Sequence, residues 1–267
     1  SISELGTVTF TDGTNNVTPN QLQCEAYGYT YNQVTGTCST FRYNTNLNRA
    51  VANENNKTFG VGNSTQTGTN NTIVMGENNT VRGFSRNSII TGNQNEIANG
   101  VNNANVSGTL GEVTADNSKV LGGNANGDTL GERQSIHLMY GIQTTDGVNT
   151  VSFLNNTTDS LFAIPDNTIM YFHADVVAVR VGGIHATGSV GDYASWVERG
   201  VIINKSGVLS ISRERDNIQS SGTVTNWQPT GIVSGTNFAM RVRGHTDMTV
   251  EWVSNITFTQ IKTGVTL

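Results

Sequence analysis

The sequence predicts an all-β chain, a short β-solenoid followed by an antiparallel β-sandwich or jelly roll. Three observations predict it. Four segments share one glycine-closed pattern, 71–76 (NTIVMG), 87–92 (NSIITG), 103–108 (NANVSG) and 117–122 (NSKVLG). Their last residues, Gly76, Gly92, Gly108 and Gly122, lie 16, 16 and 14 residues apart. A period this short is one coil of a β-solenoid, because helical repeats need more than twice that length. From about residue 134 the rhythm changes to longer, strongly alternating strands separated by polar loops. Finally, Gly is abundant (30 copies), Pro rare (3) and charge low (13%), a balance that suits short strands and tight turns.

Three parts are expected, 1–53, 54–130 and 131–267. In the first, residues 7–11 read as a strand and 44–53 as one short helix. Cys24 and Cys38 flank an aromatic, turn-rich stretch (YGYTYNQVTGT) that reads as a hairpin turning near Thr35 and Gly36. A disulfide across it is sterically reasonable, and free thiols are equally compatible with two cysteines in a long chain.

In the second part each segment alternates as a strand requires. One face carries a small residue and then a β-branched one: Thr72 and Val74, Ser88 and Ile90, Ala104 and Val106, Ser118 and Val120. That face fits inside a narrow roll. The opposite face carries Ile73 with Met75 and Ile89 with Thr91, then turns polar. Secondary strands end at Gly68, Gly83 and Gly100, and a degenerate copy, 57–62 (KTFGVG), precedes the first repeat. Gly and Asn tolerate positive φ at the corners, and stacked Asn side chains can hydrogen-bond from coil to coil. A Gly/Asn-rich linker would have no reason to repeat β-branched residues two before a glycine. About five coils at roughly 4.8 Å each make a rod segment on the order of 24 Å.

The third part is expected to hold strands at 150–154, 168–181, 194–203, 208–212, 223–227, 238–243 and 248–261. In the last, Met248, Val250, Trp252, Ile256 and Phe258 share one face, the signature of a half-buried antiparallel strand.

The repeats resemble the left-handed parallel β-roll of trimeric autotransporter adhesin heads, whose strands read Asn-Ser-x-Ala-Ile-Gly, over about 70 residues, with Val or Ile here where that family usually has Ala. The C-terminal strands ADVVAVRV, WVERGVIIN and FAMRVRGHTDMTVEWVSNITFTQI resemble a module at the ends of bacteriophage tail fibres and tail spikes. Together these resemblances imply a virion tail fibre or spike, assembled in the host cytoplasm, with a roll as shaft and a sandwich as tip. They also imply a homotrimer with Ile73, Met75 and Ile89 between its chains. Independently, an apolar stripe on a thin roll is a patch that a lone chain should hide, and cyclic symmetry hides it most simply.

The chemistry-bearing residues are scattered. Asp166, Asp175, Asp192, Glu198, Asp247 and Glu251 include no spacing that singles out a glycosidase pair. His137, His173, His185 and His245 stand apart, and neither a Gly-x-Ser-x-Gly elbow nor a His-Glu-x-x-His motif is present. The expectation is therefore a non-enzymatic chain without cofactor or metal. Net charge is −5 with no basic cluster, which disfavours nucleic acid. No apolar run approaches the length of a membrane span and no signal-peptide pattern is present, so the chain is expected to be soluble. Ser1 in place of Met reads as a processed product or a piece of something longer.

Trp196 and Trp252 are expected in the sandwich core. Trp227, before Gln228 and Pro229, reads either as an exposed aromatic ready to stack on a sugar or as a cover for the open end of the sandwich. Loops of a rigid β scaffold usually carry recognition. The segments 182–193 and 213–235, with His185, Tyr193, Arg213, Arg215 and Trp227, are the expected receptor surface, and the partner a host-surface glycan or outer-membrane component. Other tail proteins would bind through the N-terminal region. Three further readings are a virion connector without receptor binding, a polysaccharide depolymerase spike, and a bacterial adhesin head.

Overall fold

The computed structural model describes residues 7–39, 55–123, 127–155, 157–224 and 226–263. They fall into two units, Ser1–Ala52 and Asn53–Leu267. The first contains a two-stranded ribbon, β1 (Phe10–Thr11) with β2 (Asn16–Val17), one short helix α1 (Gln21–Ala26), and a hairpin of β3 (Thr30–Asn32) with β4 (Thr37–Ser39). Asn20 and Gln23 start the helix as a capping box, each side chain bonded to the other's backbone N–H. Cys24 on the helix and Cys38 on the hairpin are joined by a disulfide and, with Val8, form a small core under Phe10, Tyr29 and Tyr31. The helix expected at 44–53 lies outside the described residues.

The second unit begins with a β-solenoid of about four turns. Its main sheet stacks β5 (Lys57–Val61), β7 (Ile73–Glu77), β9 (Ile89–Asn93), β11 (Asn105–Gly108) and β13 (Lys119–Gly123) in parallel register. A second parallel sheet joins β6 (Ser64–Thr65), β8 (Thr80–Val81), β10 (Glu96–Ile97) and β12 (Glu112–Val113). Isolated bridges between Asn70, Arg86 and Asn102 mark a third line of contact.

Each rung obeys the same local rules. Its first residue, Asn55, Asn71, Asn87, Asn103 or Asn117, sits in the left-handed region with φ between 53° and 57°. Asn pays little for that conformation because its side chain can bond nearby groups. At the other end of the strand, Gly60, Gly76, Gly92 and Gly108 take φ between 91° and 117°. A Cβ on Gly76 would stand 1.9 Å from the carbonyl oxygen of Gly92 in the next rung, and the same encounter recurs at Gly60, Gly92 and Gly108. The glycines are therefore fixed by the spacing of the stack as much as by the turn.

The corners are tied along the stack by amides. Asn55 donates to Asn71 at 3.1 Å, Asn71 to Asn87 at 3.2 Å, and Asn103 to Asn117 at 3.1 Å. A second ladder runs through Asn63, Asn79 and Asn95. Buried Asn79 donates to Asn63 Oδ1 and to the carbonyls of Met75 and Gly92, while its own oxygen accepts from the backbone of Asn95. Inside, Val74, Ile90, Val106 and Val120 stack beside Val81, Ile97 and Val113, and all are buried. The small residues Thr72, Ser88, Ala104 and Ser118 are buried too, which keeps the cross-section narrow.

The main sheet continues beyond β13. β14 (Arg133–Thr144) pairs antiparallel with β13, from Lys119 opposite His137 to Gly123 opposite Arg133. From there the order is β14, β22 (Thr249–Lys262), β17 (Thr168–Gly182), β18 (Tyr193–Lys205) and β19 (Val208–Ser220). A smaller group, β15 (Asn149–Leu154), β16 (Phe162–Ala163), β20 (Gln228–Ser234) and β21 (Asn237–Arg243), pairs around β21. Its apolar residues pack on the long strands: Phe238 lies 5.2 Å from both Phe172 and Phe258, and Phe162 lies 5.0 Å from Phe258. Buried Tyr140 accepts from the Phe162 N–H at 2.9 Å and donates to the Phe238 carbonyl at 3.2 Å, so one phenol on β14 fastens β16 and β21 to the long strands.

Several strand assignments differ from the sequence reading, the first being β14, which is not among the expected strands. The described residues of 223–227 form no strand, and β20 begins only at Gln228, because the chain first turns through Val224 and Trp227, whose N–H bonds the Val224 carbonyl. The stretch 213–220, expected as loop, extends β19. Its alternating charges suit a solvated edge strand, where they discourage further pairing.

We predict that Gly76→Ala lowers stability by about 3 kcal/mol or more, combining backbone strain with overpacking against the next rung. Gly100, whose Cβ would meet open space, is the control, and Gly100→Ala should cost about 1 kcal/mol of strain alone. Denaturant melts of the two variants make the comparison.

Candidate functional site

β18 and β19 run side by side at the edge of the long sheet, with Glu198 opposite Arg215 and Gly200 opposite Arg213. Glu198 is fully buried. Its Oε1 accepts from the Gly231 N–H at 2.9 Å and lies 3.5 Å from Arg213 Nε, while Oε2 has no partner. Burial pushes this carboxyl above the usual range, against the downward pull of the Gly231 N–H, Arg213 and Arg215. Gly231 permits the approach, since its Cβ position is already crowded by Phe238, Glu198 and Phe172.

Arg215 reaches across to β20, donating through Nη1 to the Pro229 carbonyl. Gln228, in the amide orientation that satisfies both groups, accepts from Arg215 Nη1 and Nη2 at 3.1 and 3.0 Å. Next to them three indoles pack in series: Trp196 stacks on Trp252 with centroids 5.7 Å apart, and Trp227 lies 5.9 Å from Trp252. Trp252 Nε1 donates to Thr144 Oγ1 at 2.9 Å, whereas the buried Nε1 of Trp227 has no partner. Trp196, Arg215, Asn217, Asn226, Trp227, Gln228 and Arg243 line a hollow of about 360 Å³.

The structure therefore joins Arg215 and Trp227 in one hollow, with Arg213 linked to it through Glu198. Trp227 is only 5% exposed, which corrects the reading of an exposed stacking platform. Its ring is held by Trp252, a contact between distant parts of the chain. The correction extends to Arg213 and Arg215, which stand on β19 rather than on a loop.

His185 and Tyr193 lie elsewhere on the expected surface. The loop 183–192 is soldered by buried Arg180, which donates to the carbonyls of Gly182, Gly183, His185 and Thr187 at 2.9–3.2 Å. The His185 ring packs edge-on against His245 at 4.3 Å. Tyr193 is exposed, its hydroxyl accepting from Gln219 Nε2 at 3.0 Å and its backbone N–H bonded to Ser221 Oγ. Asp192 accepts from Thr223 Oγ1 and the Ser189 N–H, which hold its carboxyl below the usual range and pin the loop to the segment after β19.

Ile73, Met75 and Ile89 are exposed on the outer face of β7 and β9, with Phe59 on the adjacent β5 and Leu121 on β13, beyond β11. On that same sheet face, Leu121 is continued through Ser135 and Thr259 to exposed Tyr171. Among the described residues no three His, Cys, Asp or Glu side chains cluster as metal ligands, and no helix is long and apolar enough to cross a membrane.

No protein-family model and no curated protein matches the sequence. Solved structures to which the chain is similar include three tailspike proteins. The Acinetobacter baumannii phage AM24 tailspike aligns over 78% of this chain and 55% of its own, at 9% identity and a TM-score of 0.29. The Acinetobacter phage vB_ApiP_P1 tailspike aligns over 78% and 47%, at 9% identity and 0.24. The third is tailspike gp49 from Acinetobacter baumannii bacteriophage Fri1, over 74% and 41%, at 8% identity and 0.24. The chain thus spans about half the length of these proteins. A likeness this distant assigns neither fold nor activity. The Fri1 protein is described as a capsular polysaccharide depolymerase, and with an enzyme among the similar structures the expectation of a non-enzymatic chain is corrected and withdrawn.

The raised carboxyl of Glu198 has a measurable consequence. Because the folded state holds its proton more tightly than the unfolded one, stability falls as pH rises from the unfolded carboxyl range through the folded value. We predict that Glu198→Gln removes this slope, so the variant gains in melting temperature relative to the native chain as pH is raised from about 4 to neutrality.

Proposed function

We propose that the chain is a subunit of a bacteriophage tail spike that engages a polysaccharide on the host surface as a homotrimer. One observation carries the reading. A solenoid locked by amide ladders presents Ile73, Met75, Ile89, Phe59 and Leu121 to solvent on one flat face, and the same sheet runs on into the strands that form the polar hollow. Apolar surface of this extent on a narrow column is covered most economically by two further copies around a cyclic axis. Three copies of one recognition surface would raise avidity by effective concentration. The resemblance of the glycine-closed repeats to trimeric β-rolls, and of the C-terminal strands to tail-fibre ends, supports the same assembly. Its place is the virion tail, the N-terminal unit joining other tail proteins.

Cleavage of the polysaccharide, and not binding alone, is favoured by Glu198. A carboxyl whose hold on its proton is strengthened by burial, beside two arginines, is the kind of group that donates a proton to a leaving sugar oxygen.

Sedimentation and a polysaccharide assay test both parts. The native chain should sediment at three times its monomer mass, and Ile73→Glu with Ile89→Glu should shift it to monomer. Incubation with capsular polysaccharide should yield bound complex and new reducing ends, the latter lost in Glu198→Gln. A stable native monomer contradicts the assembly. Binding without new reducing ends removes cleavage, and neither binding nor cleavage removes the polysaccharide as partner.

A further inference from the structure

We propose that the hollow between β19 and β20 is a subsite for an acidic sugar, whose carboxylate is taken by Arg215, Arg243 and the indole N–H of Trp227. The inference rests on the polysaccharide reading and names the chemical class of one sugar unit. The argument starts from the indole. Trp227 is 5% exposed, its buried Nε1 has no hydrogen-bond partner, and the residue is among those that line the hollow. A buried donor left unpaired costs about 1–3 kcal/mol, so the site is built for an acceptor that the chain does not itself supply.

The surrounding groups say what kind of acceptor. Two guanidinium groups, Arg215 and Arg243, line the hollow together with the amides of Asn217, Asn226 and Gln228, and no carboxylate is among the lining residues. Arg243 spends its Nε on the Gly147 carbonyl at 3.0 Å, and neither Nη group makes a hydrogen bond among the described residues. Arg215 is held in place by the Pro229 carbonyl and Gln228, so its plane is set before a ligand arrives. Guanidinium groups match carboxylates with paired, charge-assisted hydrogen bonds, and an arginine fixed in advance loses little freedom on binding. The amides suit the hydroxyls of a sugar ring. The volume of about 360 Å³ lies within the range of small-molecule sites, roughly 300–1,000 Å³. A neutral sugar would leave Arg243, which meets no carboxylate in the lining, without a counter-charge in a partly enclosed space.

Saturation-transfer NMR on the full chain tests this with three probes: methyl β-D-glucuronide, methyl β-D-glucoside and inorganic phosphate. The glucuronide should give ring-proton signals that the glucoside does not match, and phosphate should displace it only weakly. Arg243→Gln, at an exposed position, and Trp227→Phe, which keeps an aromatic ring but deletes the donor, should each weaken glucuronide binding at least tenfold. Their melting curves verify folding. Equal response to both glycosides, or unchanged binding in Arg243→Gln, overturns the acidic-sugar assignment. Displacement by phosphate at equal concentration makes the hollow a general anion site and likewise overturns it. The two readings fail separately. Capsular polysaccharide binding that survives in Arg243→Gln and Trp227→Phe sinks the subsite and leaves the proposed function standing. Glucuronide binding by a chain that ignores every capsular polysaccharide does the reverse.

Discussion

The structure depends on how closely successive rungs of the solenoid approach. With the carbonyl oxygen of each closing glycine standing where the Cβ of the preceding one would be, no side chain fits at Gly60, Gly76, Gly92 or Gly108. The same spacing brings Asn side chains on neighbouring rungs within hydrogen-bond reach. Backbone geometry and the amide ladders therefore impose one register on every coil. A column this thin buries few apolar groups per rung, about one Val or Ile on each sheet. Each such side chain contributes about 1.5–3 kcal/mol. Satisfied amides along the corners supply the specificity that so small a core cannot.

That register passes into the C-terminal strands without a hinge. β13 is the last parallel strand and also the antiparallel partner of β14, so the exposed edge that a solenoid would otherwise present is consumed by the next sheet. The long strands then have a fixed direction. Tyr140, Phe172, Phe238 and Phe258 fill the space between them and the smaller group around β21. At the far edge, β19 carries charges on both faces and closes the sheet. The hollow forms where β19 overhangs the start of β20, and its arginines come from strands, which hold them more firmly than loops would.

Much of the solenoid was legible in the sequence because its rules are local. Alternation placed Val74, Ile90, Val106 and Val120 inside and Ile73, Met75 and Ile89 outside, and the recurring Asn before each strand marked a positive-φ corner. The buried face of β22 followed from the same period of two. The site was less legible, because its contacts join residues far apart in the chain. Trp227 looked loop-borne since its neighbours are polar, and nothing near it in sequence announced Trp252 as its support. The stretch from Arg213 to Ser220 lacks apolar alternation because both of its faces meet water, so the periodicity that reveals a half-buried strand was absent. Glu198 stood out neither by spacing nor by neighbours. In the fold it is met by Gly231 of β20, from whose N–H it accepts, a neighbour far away in sequence. The α1 start, by contrast, did carry a signal, the Asn20 and Gln23 pair three residues apart.

Native-state hydrogen exchange across the solenoid tests the central claim most directly. The amides of Ile73, Ile89 and Asn105 each donate to the following rung, at 3.0, 2.9 and 2.9 Å. If rung spacing and amide ladders make the column one cooperative unit, the three should exchange with a common opening free energy. Graded protection that falls from rung to rung, or exchange of these amides within seconds, would contradict the account.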